Sequence, residues 1–268
     1  MRASKRLSTV LSLGALISVV GATPALAAGA PANDTLAGAT AVGALPFNDT
    51  VDTTAATSDA DDTALNASCG APVTNGSIWY TYTAAAGVDG IVADVSQSSF
   101  SAGVIIAEPD GHGGLVNDSC GPGTTGATVV TGVTYTILAF SDTPGVTGGT
   151  LKLSVTAATI PTVSLTVNPK AKVDKYGNAL VNGTVVCSGG DFVDLNPSLT
   201  QAVGRFSIQG SGFVEVPCDG TLQHWTAVVT PYNGKFAGGK AASFTDAFSC
   251  GNFFCSDSFA QQSVKLSK

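Results

Sequence analysis

Only two histidines, His112 and His224, and two glutamates, Glu108 and Glu215, occur in the 268 residues. A Ser-His-Asp relay would need one of those imidazoles. His112 stands among glycines in Asp110-Gly111-His112-Gly113-Gly114, which reads as a solvated turn. His224 precedes Trp225 at the start of a strand-like run, where an exposed or edge-packed ring is expected. No Gly-x-Ser-x-Gly elbow, His-Glu-x-x-His pair, phosphate loop or dinucleotide fingerprint is present. Aspartates alone can serve a glycosidase, but no spacing singles out a pair. The chain is therefore expected to be non-catalytic.

Two features remain that can bind. The first is Asp59-Ala60-Asp61-Asp62, with Asp52 and Asn66 nearby. Calcium takes six to eight oxygens, several from closely spaced carboxylates on one loop, so Asp59, Asp61 and Asp62 are a candidate Ca2+ site. The glycine and terminal glutamate of an EF-hand are missing, and a solvated acidic loop is the alternative. Asp110, Asn117 and Asp118 form a second, weaker candidate. The other feature is Phe253-Phe254, enclosed by Cys250 and Cys255. Aromatic rings held in a small covalent loop lose little entropy on binding, so both are candidate ligand-binding residues; the alternative is that they plug the end of a β-fold.

The cysteines carry the next constraint. There are six, an even number, in a chain that opens like an export signal, and that combination suggests three disulfides. Cys69 and Cys120 are the only two in the first half and are expected partners. Four cysteines in the second half allow three pairings. Their spacing favours Cys250 with Cys255, and hence Cys187 with Cys218. Zinc fits poorly, because no second close pair or histidine cluster accompanies Cys250 and Cys255.

Arg2, Lys5 and Arg6 precede an apolar run over 9–22, and Ala25-Leu26-Ala27 supplies the small residues that a signal peptidase reads. Residues 1–27 are thus expected to be a cleaved signal peptide and the protein to be secreted. The apolar run is short for a membrane span, and no later segment could cross a bilayer. A net charge of -7 argues against a nucleic-acid partner.

The charge is uneven. Residues 28–160 carry a single base, Lys152, against 12 acids, whereas 161–268 carry 8 bases against 7 acids. The change falls at Ala157-Ala158-Thr159-Ile160-Pro161, which reads as a linker between two domains, 28–160 and 161–268. Both halves show period-two alternation. Leu151, Leu153 and Val155 alternate with polar neighbours, as do Ile78, Tyr80 and Tyr82, and then Val163, Leu165 and Val167. Short strands separated by Gly/Pro/Asp turns predict an all-β chain of two β-sandwiches.

The order Pro31-Ala32-Asn33-Asp34-Thr35, Ser68-Cys69-Gly70, Ile78-Trp79-Tyr80-Thr81-Tyr82-Thr83-Ala84, Gly132-Val133-Thr134-Tyr135-Thr136-Ile137 and Gly149-Thr150-Leu151-Lys152-Leu153-Ser154-Val155 resembles the bacterial pre-peptidase C-terminal (PPC) domain over 33–157. That resemblance implies a jelly-roll-like sandwich acting as a non-catalytic accessory or adhesion module, in some members binding calcium, polysaccharide or collagen. Cys187, Cys218 and Trp225, the late cysteine pair and Gly234-Lys235-Phe236-Ala237-Gly238-Gly239-Lys240-Ala241 resemble an uncharacterised immunoglobulin-like domain of secreted actinobacterial proteins. The expected function is a secreted binding or adhesion module for an extracellular polysaccharide or protein. A hydrolase accessory or divergent hydrolase, and a structural wall or matrix component, are the alternatives.

Overall fold

The computed structural model describes residues 29–268, so the expected signal peptide lies outside the described residues. Nine strands and one α-helix precede residue 160, after a short 3-10 turn at Leu36–Gly38. They are β1 (Thr40–Val42), β2 (Phe47–Asp52), α1 (Ala60–Cys69), β3 (Asn75–Thr83), β4 (Gly90–Asp94), β5 (Ala102–Pro109), β6 (Leu115–Pro122), β7 (Thr124–Thr128), β8 (Thr134–Ser141) and β9 (Thr150–Ala158). One sheet runs β1-β3-β8-β5-β6 and a second runs β2-β9-β4-β7. Their facing side chains, including Ile78, Tyr80, Ile106 and Ile137 from the first and Ile91, Leu151 and Val155 from the second, share one core.

Alternation alone would leave the other face of the five-stranded sheet wet. It does not. Trp79, Ile105, Ala107, Leu138 and Phe140 point away from the shared core and are buried beneath Leu65 of α1. The runs Ile78-Trp79-Tyr80, Val104-Ile105-Ile106-Ala107 and Ile137-Leu138-Ala139-Phe140 are continuously buried, as strands covered on both faces must be. The cover is tied down twice. The Cys69–Cys120 disulfide joins the last residue of α1 to β6. Asn33 accepts from the Trp79 N–H through its carbonyl at 2.8 Å, and its side-chain amide donates back to the Trp79 carbonyl at 3.1 Å.

The second unit contains β10 (Thr162–Val167), β11 (Lys170–Val173), β12 (Ala179–Ser188), β13 (Phe192–Val203), β14 (Phe206–Ser211), β15 (Val214–Pro217), β16 (Leu222–Pro231), β17 (Gly239–Cys250) and β18 (Cys255–Ser267). An immunoglobulin-like sandwich would keep two separate sheets. Here the ladder runs β12-β11-β18-β17-β13-β14-β16 and returns to β12, closing a seven-strand ring with β10 and β15 attached outside the path. The closure depends on short stretches: β14 meets β16 over two residue pairs and β11 meets β12 over two. The long members β13, β17 and β18 span the ring between these short contacts, and closure leaves free edges only on the attached β10 and β15. No ladder joins the two units among the described residues.

The interior of the ring is filled by Trp225, Phe236 and Val181 against many small residues, among them Ala171, Ala179, Ala227, Ala241 and Ala247. Gly183 lies on β12 directly opposite Trp225. A Cβ at Gly183 would sit 2.0 Å from the Thr166 carbonyl oxygen and 2.9 Å from Trp225 Cζ2, so only glycine fits between β10 and the indole. Cys187–Cys218 binds the end of β12 to the segment after β15, and Cys250–Cys255 closes the tip of the β17–β18 hairpin. All three expected pairings are present.

Leu65→Ala would uncover Trp79 and Leu138. A loss of about 2–4 kcal/mol in unfolding free energy is expected for a buried Leu→Ala change, read by chemical denaturation. A loss below about 1 kcal/mol would show that α1 does not close this core.

Candidate functional site

The acidic cluster is used for folding. Asp59 is the N-cap of α1: its Oδ1 accepts from the backbone N–H of Asp61 at 2.8 Å and of Asp62 at 3.2 Å. Asp62 Oδ2 accepts in return from the Asp59 N–H at 2.6 Å, completing a capping box, and from Ser77 Oγ at 2.8 Å. The carboxylates of Asp59 and Asp62 are thus directed at backbone N–H groups. No group of three His, Cys, Asp or Glu side chains among the described residues is placed to hold a metal. Asp59, Asp61 and Asp62, expected as a Ca2+ site, stand at the start of α1. Asp110 is likewise committed to its turn, accepting from the N–H groups of His112 and Gly114.

Asp62 has a cost attached. Its side chain is wholly buried, and Oδ1 has no hydrogen-bond partner. Desolvation raises its pKa to about 6, against the lowering effect of its two hydrogen bonds, and the carboxylates of Asp59 and Asp34 add to the rise.

The expected aromatic loop divides into two roles. Phe254 packs on the first unit: a Cβ at Gly90 would lie 2.9 Å from its Cε2, and one at Gly126 would lie 3.3 Å from its Cζ. Gly90 and Gly126 sit on the neighbouring strands β4 and β7, so their missing side chains leave a slot for the ring. Phe254, expected as a ligand contact, is half-buried, with its ring wedged in the slot that Gly90 and Gly126 leave. Phe253 is 48% exposed and borders a cleft of about 390 Å³. The cleft lies where the end of β9 and the linker meet the hairpin tip, with Thr156, Thr159, Asp191 and Asn252 in its walls.

A third arrangement was not anticipated. Strand β17 is inverted: Ala241, Ser243, Thr245, Ala247 and Ser249 face inward and are buried, while Phe244 and Phe248 face outward at 43% and 44% exposure. The hydroxyls of Ser243 and Thr245 are buried without a hydrogen-bond partner. On β18, Phe259 lies opposite Asp246 and is 68% exposed; its ring stacks near that of Phe244, with centroids 6.1 Å apart and planes 22° apart. Phe244 and Phe248 are four residues apart, or about 13 Å along a strand. Between them Asn196 of β13 donates to Asp246 Oδ2 at 3.0 Å. A shallow groove of about 410 Å³ continues along the same strands past Thr200, Gln261 and Ser263. All seven largely exposed phenylalanines among the described residues lie beyond residue 160. The usable signal was Phe244-x-x-x-Phe248 alternating against Ser243, Thr245 and Ser249, which marks rings on the face opposite the small residues.

No family model matches the chain, and no curated protein matches it. Among solved structures it is similar to the FMN-binding β-glucuronidase of Faecalibacterium prausnitzii L2-6, at 12% identity and a TM-score of 0.27, over 71% of this chain and 32% of that one. It is also similar to the Ruminococcus gnavus β-glucuronidase, at 12% identity and a TM-score of 0.27, over 72% of this chain and 36% of that one. The chain spans about a third of the length of these enzymes. A likeness this slight assigns neither a family nor an activity.

Two outcomes are expected. Because the folded pKa of Asp62 is raised, its contribution is fully present below about pH 4 and is lost as pH rises through about 6. Relative to Asp62→Asn, which keeps an acceptor for Asp59 and Ser77, the parent should gain about 2 kcal/mol between pH 7 and pH 4. Parallel pH profiles of unfolding would contradict the raised pKa. Separately, Phe254→Ala should weaken the contact between the units by about 1 kcal/mol and speed proteolysis at 159–161, while each unit still unfolds cooperatively. An unchanged cleavage rate would remove the wedge role.

Proposed function

We propose that the protein is a secreted, non-catalytic binding module that holds an extracellular polysaccharide on the outer β13–β17–β18 face of its second unit. The inverted strand β17 carries this reading. Burying a phenylalanine is worth about 2 kcal/mol, and a one-residue slip of register would exchange the two faces of the strand. The chain instead leaves two rings in water and two hydroxyls unpartnered inside. Such a pattern is a poor choice for stability and a suitable one for a surface that must be apolar and exposed.

The composition of the face favours sugar over protein. Phe244 and Phe259 stack, Asp246 lies between Phe244 and Phe248, and Gln261 is opposite Phe244, with Thr200 and Ser263 flanking Ala242 just beyond them. A pyranose offers an apolar C–H face for stacking and a rim of hydroxyls for those polar groups. A protein partner is better met by a continuous apolar centre. Three disulfides are consistent with an oxidising compartment. The resemblance of 33–157 to an accessory β-sandwich agrees with the same reading, with the acidic first unit serving as a carrier.

Retention of the protein on insoluble cellulose, chitin or peptidoglycan is the expected result of a pull-down. Phe244→Ala with Phe259→Ala should reduce it about tenfold or more, with the unfolding midpoint preserved because both rings are already exposed. Retention on one of these polymers that survives both changes would overturn the face. Retention on collagen alone, lost with both changes, would make the ligand a protein.

A further inference from the structure

The geometry points to a second ligand site, in the cleft beneath the hairpin tip, that takes one sugar residue or the end of a short saccharide. It does not rest on the outer-face reading, since it uses different residues and the two can fail separately. At about 390 Å³ the cleft falls within the usual size range of small-molecule pockets. Two units and the linker between them form its walls, a common setting for such sites.

Its chemistry is that of a neutral polyol. Thr156, Thr159 and Asn252 each offer groups that donate and accept hydrogen bonds, and Asp191 accepts only. Sugar hydroxyls also do both, so each can be matched. No basic side chain lines the cleft, which disfavours an anionic ligand. Phe253 supplies an exposed ring at the mouth for the C–H face of a pyranose.

The site is also held ready. Phe253 stands in a four-residue loop closed by Cys250–Cys255, and within that loop the Gly251 N–H donates to the Phe254 carbonyl at 2.8 Å. Ser256 Oγ donates to the Pro161 carbonyl at 2.6 Å, joining the base of the loop to the linker that forms the opposite wall. The Phe254 ring, seated against Gly90 and Gly126, sets the separation of the walls. Adjacent phenylalanines therefore divide the work: one fixes the cleft and the other faces its contents. Little ordering is left for a ligand to impose.

The test is a titration of the full-length protein with glucose, N-acetylglucosamine, galactose, xylose, cellobiose and chitobiose, followed by ligand-observed NMR and calorimetry. At least one sugar is expected to bind. Phe253→Ala should weaken that binding about tenfold, Asn252→Ala and Asp191→Asn should weaken it severalfold, and Phe244→Ala with Phe259→Ala should leave it unchanged. The Asn252 and Asp191 changes keep the test decisive if Phe253→Ala misfolds. Tetramethylammonium serves as the cation control and is expected not to bind. The inference is overturned if no sugar binds, if binding is indifferent to the three cleft changes, or if tetramethylammonium displaces the sugar or binds in its place.

Discussion

The second unit is governed by the narrowness of its interior. A ring of seven strands has room for few large side chains, and Trp225 and Phe236 occupy much of it. Positions facing them must be small, hence Gly183 against the indole and the alanines of β11, β12, β16 and β17. The inward positions of β17 are alanine, serine and threonine, and its phenylalanines stand outward. The cost is borne by Ser243 and Thr245, whose hydroxyls have neither water nor a partner.

The β class of both units is legible because alternation at Leu151-x-Leu153-x-Val155 and Val163-x-Leu165-x-Val167 is a local signal. The disulfides follow from counting and spacing. Helix α1 is legible in the same residues: Asp59 three residues before Asp62, with Gly70 eleven residues after Asp59, is a helix start and stop, yet these aspartates also suggest a metal loop. The ring closure is written in no local segment, because β14 and β16 touch over two pairs only. The aromatic face was hidden for a different reason. An outward phenylalanine on a strand looks in sequence like an inward one, and only the register with β13 and β18 decides.

Both proposed sites are built on one hairpin. The strands of β17 and β18 carry Phe244, Phe248 and Phe259, and their covalently closed tip carries Phe253 and Phe254. The first unit contributes to the second site through the end of β9 and through the two glycines that receive Phe254. Of its own aromatic residues, Trp79, Tyr80, Tyr82, Tyr135 and Phe140 are buried and Phe47 and Phe100 are half-buried against the core. The division of labour is physical: the unit with the larger apolar core supplies a rigid support, and the ring displays its rings of carbon to the outside.

The partition of charge along the chain makes the folded protein an electrical dipole. Nearly all the excess negative charge sits before residue 160, and the unit bearing the aromatic face is close to neutral. Near an anionic surface, within a Debye length of about 8 Å, the acidic end is repelled and the neutral end is not. A field therefore exerts a torque on the molecule as well as a force, and salt weakens that torque without altering any contact.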